Sequence, residues 1–270
     1  MARDLIATRH VSITQACRVV NIDHKTYRYV PKKRNDESMI EALLKKFSAL
    51  YPEYGFVKLF NLIRQKSYTF NHKRVYRIYR DLQLNLKIKP KKRLAPRTAM
   101  KLTQPNKINE CWSLDFMSDA LMNGKRIRTA NVIDDCNRGA LSILVSISLT
   151  SKRITRWLDH VSLKQGYPKI IRVDNGPENI SRHFQQWAQQ HDIVVRYIQP
   201  GKPAQNAYIE RFNRTYREAV LNKYLFRNIE EAQTITDDWI KHYNEERPHE
   251  ALNNQTPVNF AKQLNPKFSI

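Results

Sequence analysis

The spacing of apolar residues changes once along the chain, near residue 101. Before it the period is helical. Ser12 followed by Gln15 makes a capping box, each side chain placed to satisfy an orphan backbone N–H, and Ala16, Val19 and Val20 then recur at helical spacing. Asn21 ends that helix, and Asp23 caps a second one carrying His24, Lys25, Thr26 and Arg28. The pair reads either as a helix-turn-helix with a basic second helix or as a helical hairpin with a solvated basic face, and these residues leave both open. Ser38 and Glu41 form another capping box ahead of Leu43, Leu44 and Phe47, with a turn at Tyr51 to Gly55. In the next stretch Val75, Ile78, Tyr79 and Leu82 fall at i, i+3, i+4 and i+7, while Lys73, Arg74, Arg77 and Arg80 project from other faces. One side packs and another can meet phosphate.

The tract KIKPKKRLAPR, with prolines at 90 and 96, reads as a basic linker, because X-Pro disfavours helix and like charges repel. Beyond it the pattern is mixed α and β. Trp112, Leu114 and Phe116 alternate with Ser113 and Asp115, which puts Asp115 on the opposite strand face from the aromatic pair. Residues 126–133 and 140–149 read as two further strands joined through DDCNRG. A helix over 151–165 leads to the strand KIIRV, which ends at Asp174 and turns at Asn175-Gly176. Residues 179–190 read as helix and 193–198 as strand. A long helix from Pro203 then carries an apolar stripe of Ile209, Phe212, Tyr216 and Val220, with Glu210, Arg214 and Arg217 on another face.

Three strands, alternating helix and strand, then a carboxylate-bearing helix is the element order of a ribonuclease-H-like fold: an α/β core with a five-stranded mixed sheet and flanking helices, preceded by an all-helical region. The boundaries expected are 1–35 for the helix-turn-helix-like segment, 36–86 for a helical DNA-binding domain, 87–108 for the linker, 109–225 for the core and 226–270 for a C-terminal helix and tail packed on it.

Charge sharpens this division. The 270 residues hold 47 Lys and Arg against 25 Asp and Glu, a net +22, which suits a polyanionic partner. Residues 1–101 hold 24 basic and 7 acidic residues, a balance of +17, so that half is expected to bind and the nearly balanced remainder to do chemistry. Cys17, Cys111 and Cys136 lie far apart with no C-x-x-C pair, which indicates neither a zinc knuckle nor a disulfide framework and fits a reducing cytoplasm. No secretory signal is read at the N-terminus, and the apolar run 140–149 is too short to span a bilayer, so no membrane is expected.

Asp115, Asp174 and Glu210 each fall on an element able to deliver a carboxylate to one cluster, with 35 residues between the last two. Hard oxygen ligands of this kind hold two Mg2+ or Mn2+ ions, which activate an attacking oxygen and stabilise a leaving one. A D…D…E triplet arises easily among 25 acidic residues, so the elements carry the argument rather than the triplet. Asp134 and Asp135 read as caps of the hairpin, Glu178 as a helix-start residue ahead of the alternative that its nearness to Asp174 lets it touch metal, and Arg247 and His249 as anchors of the C-terminal tail.

The runs NECWSLDFMSDAL, IIRVDNGPE and IQPGKPAQNAYIERFNRTYREAVLN closely resemble the three catalytic segments of OrfB-type bacterial insertion-sequence transposases, in the family named after insertion sequence three. YPEYGFVKLFNLIR with NHKRVYRIYR resembles that family's helical N-terminal domain, and YNEERPHEALNNQTP its C-terminal segment. The resemblance implies an integrase-like core in which Asp115, Asp174 and Glu210 are catalytic metal ligands and Arg217 a basic residue meeting DNA. It implies cleavage at element ends and strand transfer by 3′-hydroxyl attack, on element ends and target DNA in the cytoplasm, at the nucleoid. It also implies a homo-oligomer on DNA and an upstream OrfA product as partner or fusion. With Arg214, the residues Lys73, Arg74, Arg77, Arg80, Lys25 and Arg28 complete the expected DNA contacts. The chain departs from the family at Gly139 and near Ser146, where acidic residues are usual, and at Asn179, where an aromatic follows the proline-glutamate. Two other functions fit less of the sequence: a non-catalytic or degraded DNA-binding regulator of transposition, and a ribonuclease-H-like nuclease or resolvase.

Overall fold

The computed structural model describes residues 1–29, 36–86, 102, 104–199 and 203–265. Its backbone contacts divide the chain into two compact units, Met1–Lys46 and Phe47–Ile270. In the first unit α1 (Ala2–Arg9) packs on α2 (Ile13–Val20), and α2 on α3 (His24–Arg28). The Ser12 hydroxyl accepts the Gln15 N–H at 3.2 Å, while the Gln15 side chain meets that hydroxyl at 3.4 Å rather than the backbone, so half of the expected box forms. Asp23 caps α3 through the Lys25 N–H at 2.6 Å. The buried stripe of α2 is Ala16 and Cys17; Val19 is 75% exposed, a correction to the helical pattern read from sequence. The second helix is five residues long, with Lys25 and Arg28 both exposed.

Helix α4 (Glu37–Leu50) runs across the division between the units. It begins before the expected cap: Ile40 N–H donates to the Asp36 carbonyl, which leaves Ser38 inside the first turn. Helices α5 (Phe56–Gln65) and α6 (His72–Asp81) pack on each other, Phe56 against Tyr76 and Tyr79, and Leu59, Leu62, Ile63, Val75, Ile78 and Tyr79 are all buried. Asn71 starts α6 by accepting the Lys73 and Arg74 N–H groups at 2.9 and 3.4 Å. Lys73, Arg77 and Arg80 are exposed, as the amphipathic pattern requires. Of the expected linker, residues 87–101 and 103 lie outside the described residues.

Five strands follow: β1 (Cys111–Ala120), β2 (Arg126–Asp134), β3 (Ala140–Ser146), β4 (Ile170–Val173) and β5 (Val194–Tyr197). They lie in the order β3-β2-β1-β4-β5, with β1 antiparallel to β2, β2 antiparallel to β3, and β4 parallel to both β1 and β5. Strand β3 stops at Ser146, short of the expected 149, because the Ser146 hydroxyl turns onto the Ser148 carbonyl at 2.8 Å. Helix α7 (Ser151–Gln165) matches its expectation. The helix expected over 179–190 is two, α8 (Pro177–Ile180) and α9 (Arg182–Gln190); Ser181 adopts extended backbone between them and caps α9 through Phe184 N–H at 3.2 Å.

The helix expected from Pro203 is also broken. A 3-10 turn (Pro203–Asn206) leads into α10 (Ala207–Tyr216), and a π turn (Arg217–Leu221) ends it. Helix α11 (Ile229–Glu245), a short 3-10 turn and α12 (Pro257–Leu264) close the chain. Alternation along β1 and β2 makes two cores. Trp112, Leu114, Ala130 and Val132 pack with Ile154, Leu158, Phe184 and Trp187 of α7 and α9. Ile127 and Ile133 pack with Ile209, Phe212, Tyr216, Trp239 and Tyr243 of α10 and α11. Asp115 therefore points to the α10 side of the sheet, opposite the aromatic pair.

Candidate active site

On the α10 side β1 and β2 set polar residues opposite each other, with Asp115 paired to Asn131 in the antiparallel register. Asn213, three residues after Glu210 on α10, joins them. Its Nδ2 donates to Asp115 Oδ2 at 2.8 Å, and its Oδ1 accepts from Asn131 Nδ2 at 2.7 Å. A buried asparagine pair thus aims a donor at one carboxylate. Burial pushes the Asp115 carboxyl up to about 6; the Phe116 backbone N–H and the Asn213 amide hold it down, and the charges of Asp174 and Glu210 push it further up. All three expected carboxylates are therefore within one electrostatic neighbourhood.

Asp174 leaves β4 just where the chain turns. Its Oδ1 accepts the Gly176 N–H at 3.1 Å and the Asn179 Nδ2 at 2.8 Å. Gly176 keeps this approach close: a Cβ would lie 3.0 Å from Asp174 Oδ1 and 3.3 Å from Glu178 Oε2, so a side chain here would press on both carboxylates. Asn179 is fully buried in α8, where the family resemblance leads one to expect an aromatic. Glu210 stands exposed in the first turn of α10. Among the described residues, no group of three or more His, Cys, Asp or Glu side chains is drawn together closely enough to hold a metal ion. Each aspartate turns an oxygen to an amide donor.

The neighbouring charges are arranged around this centre. Glu178, in the first turn of α8, pairs with Arg128, whose guanidinium lies 5.2 Å from the Phe116 ring centroid. Arg217 donates to the Ser118 carbonyl at 3.0 Å and lies 3.7 Å from Asp119, both near the end of β1. Arg214 is exposed. Lys73, Arg74, Arg77 and Arg80 sit on α6, and Lys25 and Arg28 on α3 in the other unit.

The acidic pair at the hairpin divides its work. Asp134 accepts the Asn109 and Cys136 N–H groups at 2.7 and 2.8 Å, the turn-holding role expected for it. Asp135 instead enters a buried ion pair with Arg172 at 2.6 Å and accepts the Ser113 hydroxyl at 2.7 Å. At Gly139 the Asn137 amide occupies the room a side chain would need, with its oxygen 3.0 Å from the place of a Cβ. The sequence pattern does not distinguish Asn213 or Asn131, and it marks Asn179 only as the residue standing where the family has an aromatic. The one available signal was Asn213 lying next to Phe212 in the buried stripe of a helix, where an amide is out of place unless it has a partner.

The integrase core domain family matches residues 105–203, and a second integrase core domain family matches residues 191–257. The chain is 36% identical over 252 residues to the 31.7 kDa protein of insertion element IS407 from Burkholderia multivorans, covering 93% of this chain and 91% of the relative. It is 34% identical over 259 residues to the 39.2 kDa protein of insertion element IS476 from Xanthomonas euvesicatoria, covering 96% and 75%. Against the transposase InsD of insertion element IS2 from Escherichia coli it is 25% identical over 224 residues, 78% of this chain and 74% of the relative. The fold is also that of a chain in the simian T-cell lymphotropic virus intasome bound to PP2A regulatory subunit B56 gamma, with a TM-score of 0.51 at 18% identity, covering 84% and 76%. Fold and relatives together define an integrase-type enzyme with a ribonuclease-H-like core. The chain belongs to the OrfB-type insertion-sequence transposases, in the family named after insertion sequence three.

Proposed function

We propose that the chain is a DNA transposase that cleaves at the ends of its insertion sequence and joins the freed 3′ hydroxyls to target DNA, with Asp115, Asp174 and Glu210 as the ligands of two Mg2+ or Mn2+ ions. The observation that supports it most is the surroundings of Asp115, a buried carboxyl raised to about 6 with two further carboxylate charges acting on it. Negative charge gathered in this way is relieved by a bound cation, and three carboxylates are the hard oxygen donors that Mg2+ and Mn2+ take. Ions held there would activate the attacking oxygen and stabilise the leaving one. The protein's own residues orient the ligands: Asn213 steers Asp115, and Asn179 with the Gly176 N–H steers Asp174. Arg217 and Arg214 hold phosphate beside Glu210, with Arg217 exchanging Asp119 for the DNA backbone. Lys73, Arg74, Arg77 and Arg80, with Lys25 and Arg28, carry the remaining backbone contacts. The working form is a homo-oligomer on DNA, acting with or fused to an upstream OrfA product, in the cytoplasm at the nucleoid. No helix among the described residues is long and apolar enough to cross a membrane.

The test is a labelled element end incubated with Mn2+ and scored for nicked and joined products. Asp115→Asn, Asp174→Asn and Glu210→Gln should each lower both products by at least about a thousandfold, with DNA binding intact, and the triple variant should cost little more than any single one. Wild-type joining by one variant removes that residue from the site; wild-type joining by all three ends the enzyme reading. Cleavage without joining would mark a nuclease, and binding without either a regulator.

A further inference from the structure

The flank of α10 that runs on from Glu210 borders a cavity of about 640 Å3. Arg211, one residue on from Glu210 and so about 100° around the helix, lines it together with Arg214. The facing wall comes from Lys58 of α5, Arg138 of the β2–β3 hairpin and Arg247 ahead of the final turn, all within the second unit. Five cationic side chains thus border one hollow, against two carboxylates, Glu218 and Glu250.

Three of these cations, Lys58, Arg138 and Arg247, lie against aromatic rings, and Arg138 also donates to the Asp135 carbonyl. Arg247 is 7% exposed; it donates to the Tyr54 hydroxyl at 3.2 Å and lies 5.0 Å from that ring's centroid. Lys58 sits 5.1 Å from the same centroid, and Arg138 stacks on Tyr208 at 3.2 Å. Among the described residues, none of Lys58, Arg138, Arg211, Arg214 and Arg247 forms an ion pair with a carboxylate. Three of the cations are held in place, and the five face only two carboxylates across the hollow, an excess of positive charge that suits an anion. The neighbours register it. Burial, then the Arg247 charge, lowers Lys58 to about 8, and burial with Arg247 and Lys58 lowers His249 to about 3, so the imidazole adds no charge at neutral pH.

We propose that this cavity is a phosphate subsite, and that its occupant is a backbone phosphodiester of the DNA strand running past Glu210 along α10. The identification of DNA as occupant rests on the transposase reading. Guanidinium forks match phosphate oxygens in pairs, and the site shares its helix with a proposed metal ligand, so a strand held at one reaches the other. A free nucleotide or inorganic phosphate would offer the same chemistry.

The experiment uses the full chain in EDTA, which silences the carboxylate centre. A short fluorescein-labelled duplex is titrated by anisotropy across a salt series, and inorganic phosphate and ATP are titrated by calorimetry. Arg211→Ala removes an exposed residue, and Lys58→Met tests the opposite wall; thermal melts establish that both fold. Each should weaken duplex binding roughly three- to tenfold and reduce the slope of log K against log salt by about one. Both variants binding the duplex like wild type, with unchanged slope, overturns the subsite while the transposase reading stands. ATP or phosphate binding that is lost in Arg211→Ala, with duplex binding unaffected, overturns DNA as the occupant. A wild-type chain that binds no duplex overturns both readings together.

Discussion

At the scale of residues, the site is organised by amides. Asp115 and Asp174 each receive a side-chain N–H, from Asn213 and Asn179 respectively, and such outer partners typically govern metal affinity and activity by ten- to a hundredfold. Asn179 offers the cleaner test, because its own Oδ1 is buried with no hydrogen-bond partner among the described residues while its Nδ2 serves Asp174. Removing the side chain sacrifices the Nδ2 hydrogen bonds to the Asp174 carboxylate and, at 3.5 Å, to its carbonyl, but also an unsatisfied polar atom, and these effects oppose each other in stability. Asn179→Ala should therefore leave the melting temperature within a few degrees while raising the Mn2+ concentration needed for half-maximal joining about tenfold. A metal dependence equal to wild type would reduce Asn179 to a packing residue. The carboxylates themselves were legible in the sequence, since alternation puts Asp115 opposite Trp112 and Leu114, and the Asn175-Gly176 turn marks a strand end at Asp174. Their partners were not: Asn213 and Asn131 meet Asp115 only because α10 crosses β1 and β2, a contact between segments 82 to 98 residues apart. Asp135 was misread as a cap for the same reason, its partner Arg172 lying 37 residues on in β4.

Among elements, periodicity located the five strands and most of the helices, and failed where local hydrogen bonds outcompete it. Ser181 breaks the expected 179–190 helix by capping a new one, and Ser146 ends β3 early by folding onto its own chain. The end of α10 is the consequential case. An unbroken helix would set Arg217 on the face of Glu210, but the chain enters a π turn at Arg217, where the helix widens. The guanidinium there reaches Ser118 and Asp119 of β1, so that the C-terminal half of α10 is tied to the strand bearing Asp115 at two points, by Asn213 and by Arg217. Arg217→Ala should lower joining of a labelled element end by about tenfold through lost phosphate contact. Its half-exposed ion pair contributes at most about 1 kcal/mol to folding, so the melting temperature should barely move. A large drop in melting temperature with proportionate loss of joining would mean that the arginine only clamps the strand, and unchanged joining would make it a surface charge.

For the whole molecule, charge asymmetry was the most direct message of the sequence, with +17 in residues 1–101 and +5 in the rest. The division into units does not follow that line. The second unit begins at Phe47 and includes α5 and α6, and residues of the turn before α5 are tied to α11: Tyr51 stacks on His242 at 4.5 Å and the Tyr54 hydroxyl meets the same ring at 3.1 Å. Cutting the chain near residue 102 would strip those contacts and confuse a folding defect with a binding one. The basic region is better tested by charge removal in the full chain. Lys73, Arg77 and Arg80 are exposed on α6, whose packing rests on Val75, Ile78 and Tyr79, so glutamine at all three should leave the fold intact. If α6 lies against the DNA backbone, each lost contact removes about 0.9 from the slope of log K against log salt, and the triple variant should approach a loss of three with affinity down at least tenfold at low salt. The same series on Arg211→Ala gives the contribution of the core for comparison. A triple variant that keeps the wild-type slope and affinity would move DNA binding away from α6 and leave the positive charge of this half without the role assigned to it.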